Sequence, residues 1–375
     1  MNKIIFLHFT PLLPRLKSAY MIPELINAGY EVAYWDISSI IRPGLIMHDE
    51  IKEDFVKRIT KLETLKPMVL EENSKSCLFV VPFKNILKTK PVLEFLKKYN
   101  FKIAHYDIYL NSINRINISI SNFPNIIRTS TLLELIKNFK SVVFNNFKKK
   151  DLFDFTIASF GERTHAINNP NYEIYRSIDC KPSIINGDYI LFVDNFYPYH
   201  PEYECPNKLR NRKAKLYYPS MRKFFDFLEN KYKMPVVVAK HPSANYTNSE
   251  FGNRKIVGGE TAILVKYAKL AIMHMSFANI FAVLAGVPIV FIKTKHMKYV
   301  DGIFSIYRIE NMANLLNKKV YDIDMDNFNN ISAEEINDDI RKNFLYHYIT
   351  TLNNQELSNQ EIILNVYNEI FSSYN

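Results

Sequence analysis

The sequence predicts an α/β protein of two consecutive doubly wound domains, each a parallel sheet with helices on both faces. Three observations support this. Short β-rich runs alternate with helical stretches in both halves, which is the pattern of parallel sheets with crossover helices. The alternation lapses once, into Asn, Pro and Ser between Asn168 and Gly187, and then restarts. The 375 residues suffice for two domains of ordinary size. The expected bounds are 1–168 for the first domain, 169–187 for a linker, 188–330 for the second domain, and 331–375 for closing helices.

In the first half, Lys3–Phe9 reads as a strand and Leu16–Ala28 as a helix ended by Gly29. Strands follow at Glu31–Trp35 and Leu78–Val81, then a helix from Pro91 to Tyr99. Later strands are expected at Ile103–Tyr109, Ser141–Phe144 and Phe155–Ser159. In the second half, Tyr189–Val193 is a strand and Tyr217–Tyr232 a helix with Pro219 in its first turn. Met221, Phe224, Phe225, Leu228 and Tyr232 recur at helical spacing and are expected in the core. Strands follow at Pro235–Ala239, Arg254–Val257, Leu270–Met273 and Pro288–Ile292. Two closing helices are expected to open with capping boxes, Ser332 with Glu335 and Ser358 with Glu361.

Composition narrows the function. Hydrophobic residues make up 47% and charged residues 23%, which excludes a disordered chain. The formal charge of +10 suits an anionic partner: a nucleotide, a lipid surface or an acidic glycan. Nucleic acid is not expected, because the lysines are scattered and the run Lys148-Lys149-Lys150 is short. Cys77, Cys180 and Cys205 form no CxxC pair, which argues against a disulfide framework or structural zinc and for a reducing, cytoplasmic compartment. Leu270–Ile292 has no charged residue and is long enough to span a bilayer. His274, Ser276 and Asn279 inside it, and the break at Gly286-Val287-Pro288, favour strand, helix and strand instead.

Three strand ends in the second half carry residues suited to phosphate. Val236–Ala239 runs into Lys240-His241-Pro242, a cation and an imidazole where Pro stops the strand. The other reading of His241 is a hydrogen bond within its own loop. Gly258-Gly259-Glu260-Thr261 joins a strand to a helix, where free N–H groups and close backbone approach favour an anion; otherwise Thr261 or Glu260 is an ordinary cap. At Met273-His274-Met275-Ser276, Ser276 is a natural N-cap and a phosphate contact, with His274 beside it or buried as a core histidine. Together the three loops would form one wall.

The stretch Tyr189–Ile292 resembles bacterial GT-B transferases that build capsules and lipooligosaccharides. The resemblance rests on Ile190-Leu191-Phe192-Val193-Asp194, Tyr197-Pro198-Tyr199-His200-Pro201, Tyr217-Tyr218-Pro219, Ala239-Lys240-His241-Pro242, Arg254, Thr261 and Ala271-Ile272-Met273-His274-Met275-Ser276. A His-Pro pair followed by a Ser-containing helix start is also similar to bacterial sialyltransferases and Kdo transferases, which use CMP-activated sugars. It implies two Rossmann-like domains facing a central cleft, a CMP-sugar or UDP-sugar donor, and a glycan or glycolipid acceptor. The basic balance separately suits peripheral contact with the anionic inner membrane, although the sequence offers no convincing amphipathic anchor. The donor phosphate would fall to His241 and Ser276, with Lys240, Pro242, Gly258, Gly259, Thr261 and His274 around it. No cofactor or essential metal is implied, because helix dipoles and cations neutralise the leaving group. Asp322-Ile323-Asp324-Met325-Asp326 resembles the DxD metal motif of the other glycosyltransferase fold, but its Asn-rich setting favours a solvated loop.

The acidic-acidic-Gly motif that supplies the base in bacterial sialyltransferases is missing. Asp107, with His105 two residues before it, is the first candidate for the base; Asp36, Glu162, Asp194 and His200 are its rivals. Two alternatives stay open: a nucleotide-sugar 2-epimerase, and a non-catalytic glycan- or nucleotide-binding protein.

Overall fold

The computed structural model describes residues 1–374 apart from 44, 46, 48, 84–88, 108–151, 201–206, 248 and 298–303. The described residues form two compact units, one of residues 1–107, 152–170 and 350–374, the other of residues 171–349.

The first unit is built from β1 (Lys3–His8), α1 (Pro14–Ala19), α2 (Ile22–Asn27), β2 (Glu31–Asp36), α3 (Ser38–Ile41), β3 (Val56–Arg58), α4 (Leu62–Leu70), β4 (Cys77–Val81), α5 (Lys90–Lys98), β5 (Lys102–Asp107), β6 (Phe155–Ala158) and β7 (His165–Ala166). Its seven-stranded sheet has the order β3-β2-β1-β4-β5-β6-β7, with parallel pairing throughout. Alternate residues of β1 serve opposite faces, Ile4 and Phe6 in one core and Ile5 and Leu7 in the other. This explains the unbroken apolar run. The expected strand Ser141–Phe144 and the run Lys148-Lys149-Lys150 lie outside the described residues.

After α6 (Pro170–Ser177) the second unit contains β8 (Ile190–Val193), α7 (Asn207–Tyr232), β9 (Val236–Lys240), β10 (Ile256–Gly258), α8 (Thr261–Tyr267), β11 (Leu270–Met273), α9 (Asn279–Ala285), β12 (Ile289–Lys293), α10 (Phe304–Leu315), β13 (Val320–Asp322) and α11 (Asp338–Phe344). Its six-stranded parallel sheet runs β10-β9-β8-β11-β12-β13. Met221, Phe224, Phe225 and Leu228 of α7 are buried, as their spacing requires. The uncharged segment Leu270–Ile292 is strand, helix and strand, with Gly286 ending α9 at φ 70°. Among the described residues no helix is long and apolar enough to cross a membrane.

The chain then returns to the first unit as α12 (Asn359–Ser372). Ile362, Ile363, Val366, Tyr367, Ile370 and Phe371 of this helix join Ile4, Phe6, Leu16 and Leu25 in one apolar cluster. Asn168 anchors the return. It is fully buried, accepts a hydrogen bond from the Thr350 hydroxyl at 2.6 Å, and donates to the carbonyls of Asn354 and Leu357 at 3.1 and 3.0 Å. Its backbone is paired on both sides by the Asn359 amide.

Several elements differ from expectation. The helix expected over Leu16–Ala28 is two short helices, because Met21 takes a left-handed conformation at φ 50° between them. The expected linker contains α6. The helix around Pro219 begins at Asn207, so the proline sits inside it. Ser358 and Glu361 form a complete capping box, whereas Ser332 caps nothing: α11 starts at Asp338 with Asn337 as its cap.

Candidate functional site

In the second sheet β8 lies between β9 and β11, the strands at which the winding reverses. The crevice beyond the carboxyl ends at such a switch point is where open α/β sheets hold ligands. Register sets what stands there. Val193 is paired with both Ala239 and Met273, so the next residues, Asp194, Lys240 and His274, lie level along the edge. Gly258 is paired with Lys240 on the other side.

Asp194 is buried and organises the edge. One oxygen accepts from the Phe196 N–H at 2.9 Å, the other from the Tyr246 hydroxyl at 2.6 Å and the His241 N–H at 3.4 Å. Burial outweighs these donors and pushes its carboxyl up to about 6. Desolvation and the neighbouring carboxylate raise the Tyr246 hydroxyl, which stays a neutral donor. With these partners Asp194 holds two loops in place. Asn195 then spans the switch point by donating to the Met275 carbonyl.

His241 has a defined tautomer. Its Nδ1 accepts from the Ser243 N–H at 3.1 Å, so the proton of the neutral ring resides on Nε2, a donor. The ring stacks on Phe196 at 6.1 Å and meets His200 edge-on at 4.9 Å. One nitrogen thus serves the loop, as one of the two sequence readings has it, and the other carries the proton. Lys240 lies beside it, its stem across Gly258: a Cβ on that glycine would sit 3.0 Å from Cε. The Lys240 ammonium has no protein hydrogen bond or ion pair among the described residues. Pro242 follows in an exposed turn. Gly259 takes φ +82°, open to glycine at little cost. Thr261 is the first residue of α8, and neither it nor Glu260 provides a side-chain cap.

His274 belongs to the core. It is 1% exposed, its Nδ1 donates to the Ile292 carbonyl at 2.7 Å, and its Nε2 accepts from the Tyr217 hydroxyl at 2.8 Å. Burial lowers its pKa to about 4, so the ring is neutral and both nitrogens are committed. Its expected place in the phosphate wall is corrected accordingly. The hydroxyl of Ser276 accepts from the Ala278 N–H at 3.2 Å and shapes the turn into α9 rather than capping its first residue.

The other candidates for the base belong to the first unit. Asp36 is buried, bonded to the Ser38 N–H at 2.8 Å and paired with Arg58 at 2.9 Å, so this carboxylate is occupied. His105 and Asp107 stand on one face of β5, both buried, with His105 stacked on Phe153 at 4.9 Å. Glu162 is exposed in the bend after β6. Asp322, Asp324 and Asp326 close a turn on themselves: Asp322 accepts from the Asp324 N–H and Asp326 from the Asp322 N–H. Among the described residues no three His, Cys, Asp or Glu side chains are grouped to hold a metal. Sequence reasoning missed Asn195, Phe196 and Tyr246; Tyr246 is 52 residues from its carboxylate partner, with no local signal to betray it.

No family model matches the chain. No curated protein matches it either. Solved structures do. UDP-GlcNAc 2-epimerase from Methanocaldococcus jannaschii, in complex with UDP-GlcNAc and UDP, has a TM-score of 0.51 and 12% identity over 98% of this chain and 100% of its own. A variant of the wall teichoic acid polymerase TagF has a TM-score of 0.50 and 13% identity over 99% and 90%. The spinosyn forosaminyltransferase SpnP has a TM-score of 0.44 and 12% identity over 99% of both chains. The fold is of the GT-B type. At these identities the fold is all that is shared.

Proposed function

We propose that this chain is a glycosyltransferase that holds a nucleotide-activated sugar at the carboxyl edge of its second sheet. The observation that carries the reading is the row of neighbouring strand ends. The Lys240 ammonium, unpaired among the described residues, and the Nε2–H of His241 stand beside the glycine backbone at Gly258 and Gly259. A cation, an imidazole donor and closely approachable N–H groups are the means by which a protein holds a phosphate. The same groups would stabilise the negative charge developing on the leaving phosphate as the sugar departs.

The donor's phosphate is assigned to Lys240, His241 and Thr261, with Ser276 shaping the loop across the switch point. A CMP-sugar is the first choice of donor, on the His-Pro resemblance, and a UDP-sugar the second. The acceptor is a bacterial surface glycan or glycolipid, met in the cytoplasm at the inner membrane. Asp107 is assigned the base in the first unit, at the carboxyl end of β5 with His105 two residues before it on the same strand face.

The test is thermal stabilisation by CMP, CDP, UDP and GDP in the wild type, His241→Ala and Lys240→Ala. A bound ligand raises the melting temperature by mass action. Stabilisation by one nucleotide family, reduced in both variants, is expected; no stabilisation by any of them sinks the donor assignment. Incubating a stabilising nucleotide's sugar without acceptor separates the epimerase reading, because only an epimerase converts the donor alone.

A further inference from the structure

The first sheet has a switch point of its own, between β1 and β4, and His8 stands at the carboxyl end of β1. The residue is buried, and its Nδ1 is held by Thr10, whose N–H donates at 3.0 Å and whose hydroxyl lies 2.7 Å away. Its Nε2 is enclosed and has no hydrogen-bond partner among the described residues. A buried polar atom without a partner is uncommon in folded proteins, and each one calls for an explanation. Burial holds the His8 pKa down at about 3, so the ring is neutral; with Nδ1 accepting from the Thr10 N–H, Nε2 bears the proton.

Charge supplies the second observation. The charged groups that act on His8 are Arg42 and Arg15, both cationic. Arg15 is exposed in the first turn of α1 and forms no ion pair or hydrogen bond among the described residues. Arg42 lies over the Phe9 ring at 4.5 Å, and Phe9 in turn stacks on His8 at 5.1 Å. The nearest strand-end carboxylate, Asp36, is already paired with Arg58. A positive field without a compensating acid, beside a neutral N–H donor lacking an acceptor, suits an anionic oxygen.

We propose that the carboxyl end of β1 is an anion subsite, in which His8 Nε2–H and the Arg15 guanidinium receive a carboxylate or phosphate oxygen of a sugar ligand. Because Nε2 is enclosed, the incoming oxygen displaces part of that enclosure; of the Phe9, Tyr20 and Tyr34 rings packed against His8, Phe9 is partly buried and the other two are buried. The subsite gives the transferase reading an acidic acceptor, and it rests on that reading only for the name acceptor. The anion chemistry stands by itself.

The experiment follows the imidazole 15N resonances of the full chain, with His8 assigned by its loss in His8→Gln. Glucuronic acid, glucose 6-phosphate and uncharged methyl glucoside are titrated in turn. The expected result is a shift of the His8 Nε2 resonance with an acidic sugar and none with methyl glucoside. Whichever acidic sugar acts identifies carboxylate or phosphate as the group bound. In Arg15→Ala, a surface change that leaves the fold intact, the dissociation constant should rise about tenfold, as for one charge-assisted contact. No shift with either acidic sugar, equal shifts with methyl glucoside, or an unaltered constant in Arg15→Ala overturns the subsite. Nucleotide binding is measured on the same samples. If it fails while the His8 response persists, the donor assignment falls and the anion subsite stands.

Discussion

Replacing Asn168 with Ala should weaken the first unit and leave the second untouched. The side chain accepts from the Thr350 hydroxyl and donates to the carbonyls of Asn354 and Leu357, in a fully buried position. Truncation removes one acceptor and two donors at once. Thr350 keeps a longer bond to the Thr351 carbonyl at 3.3 Å, so its hydroxyl is partly compensated. The two carbonyls lose these contacts outright. At about 1–3 kcal/mol for a buried group left without its partner, and less for the carbonyls of half-buried Asn354 and exposed Leu357, the loss is about 3–4 kcal/mol. That is a large share of the roughly 5–15 kcal/mol that holds a typical domain. With a urea dependence of about 2 kcal/mol per molar, the midpoint should fall by roughly 2 M. The chain's single tryptophan makes the assay selective, because Trp35 is buried in β2 of the first unit. Its fluorescence follows that unit, whereas circular dichroism follows both. The expected record is a Trp35 transition moved to lower urea beside an unmoved second transition. Thr350→Val, which deletes one donor, should give a smaller shift of the same sign. A Trp35 midpoint that moves by less than about 0.5 M in Asn168→Ala refutes the reasoning.

Ser358→Ala removes a complete capping box and should cost about 1 kcal/mol in the Trp35 transition, while Ser332→Ala, at a position that caps nothing, should stay within about 0.5 kcal/mol. Asp194 binds its proton more tightly folded, near 6, than in the unfolded chain, so its contribution favours the fold at low pH and is lost as pH rises from about 4 to about 6, by up to about 3 kcal/mol. His8 and His274, both lowered, slope the opposite way over part of that window. The measurement is therefore the difference in stability between wild type and Asp194→Asn, which should narrow towards low pH; a pH-independent difference would contradict the raised value. His274→Gln should lower the melting temperature without changing nucleotide affinity at pH 7, and a selective loss of affinity would return His274 to the binding wall.

The second sheet was legible in the sequence because β-branched runs such as Val236-Val237-Val238 end abruptly in polar residues, and each such end marks a loop at the carboxyl edge. The first sheet was less so. Its edge strand β3 has three residues, none fully buried, and offers no apolar run to detect. The split between α1 and α2 depends on the backbone of Met21, a residue type that seldom takes positive φ. At the site, sequence position indicated that His241 and Lys240 stand at a strand end. It could not distinguish His274, one residue beyond its strand, as a core residue, because Tyr217 and the Ile292 carbonyl come from elsewhere in the chain. His8 is one polar residue at the end of the apolar run Ile4–Leu7, and only its orphaned nitrogen makes it a candidate.

The return of α12 to the first unit has a consequence for how the chain is born. A ribosome makes β1 long before α12, so the apolar cluster around Ile4 and Phe6 stays incomplete until Ile363, Tyr367 and Ile370 have been translated. All of residues 171–349 are made in the interval. The described residues of the second unit are thus all made while the first still lacks α12. A unit whose strands are made before the other unit is completed by a helix made after it.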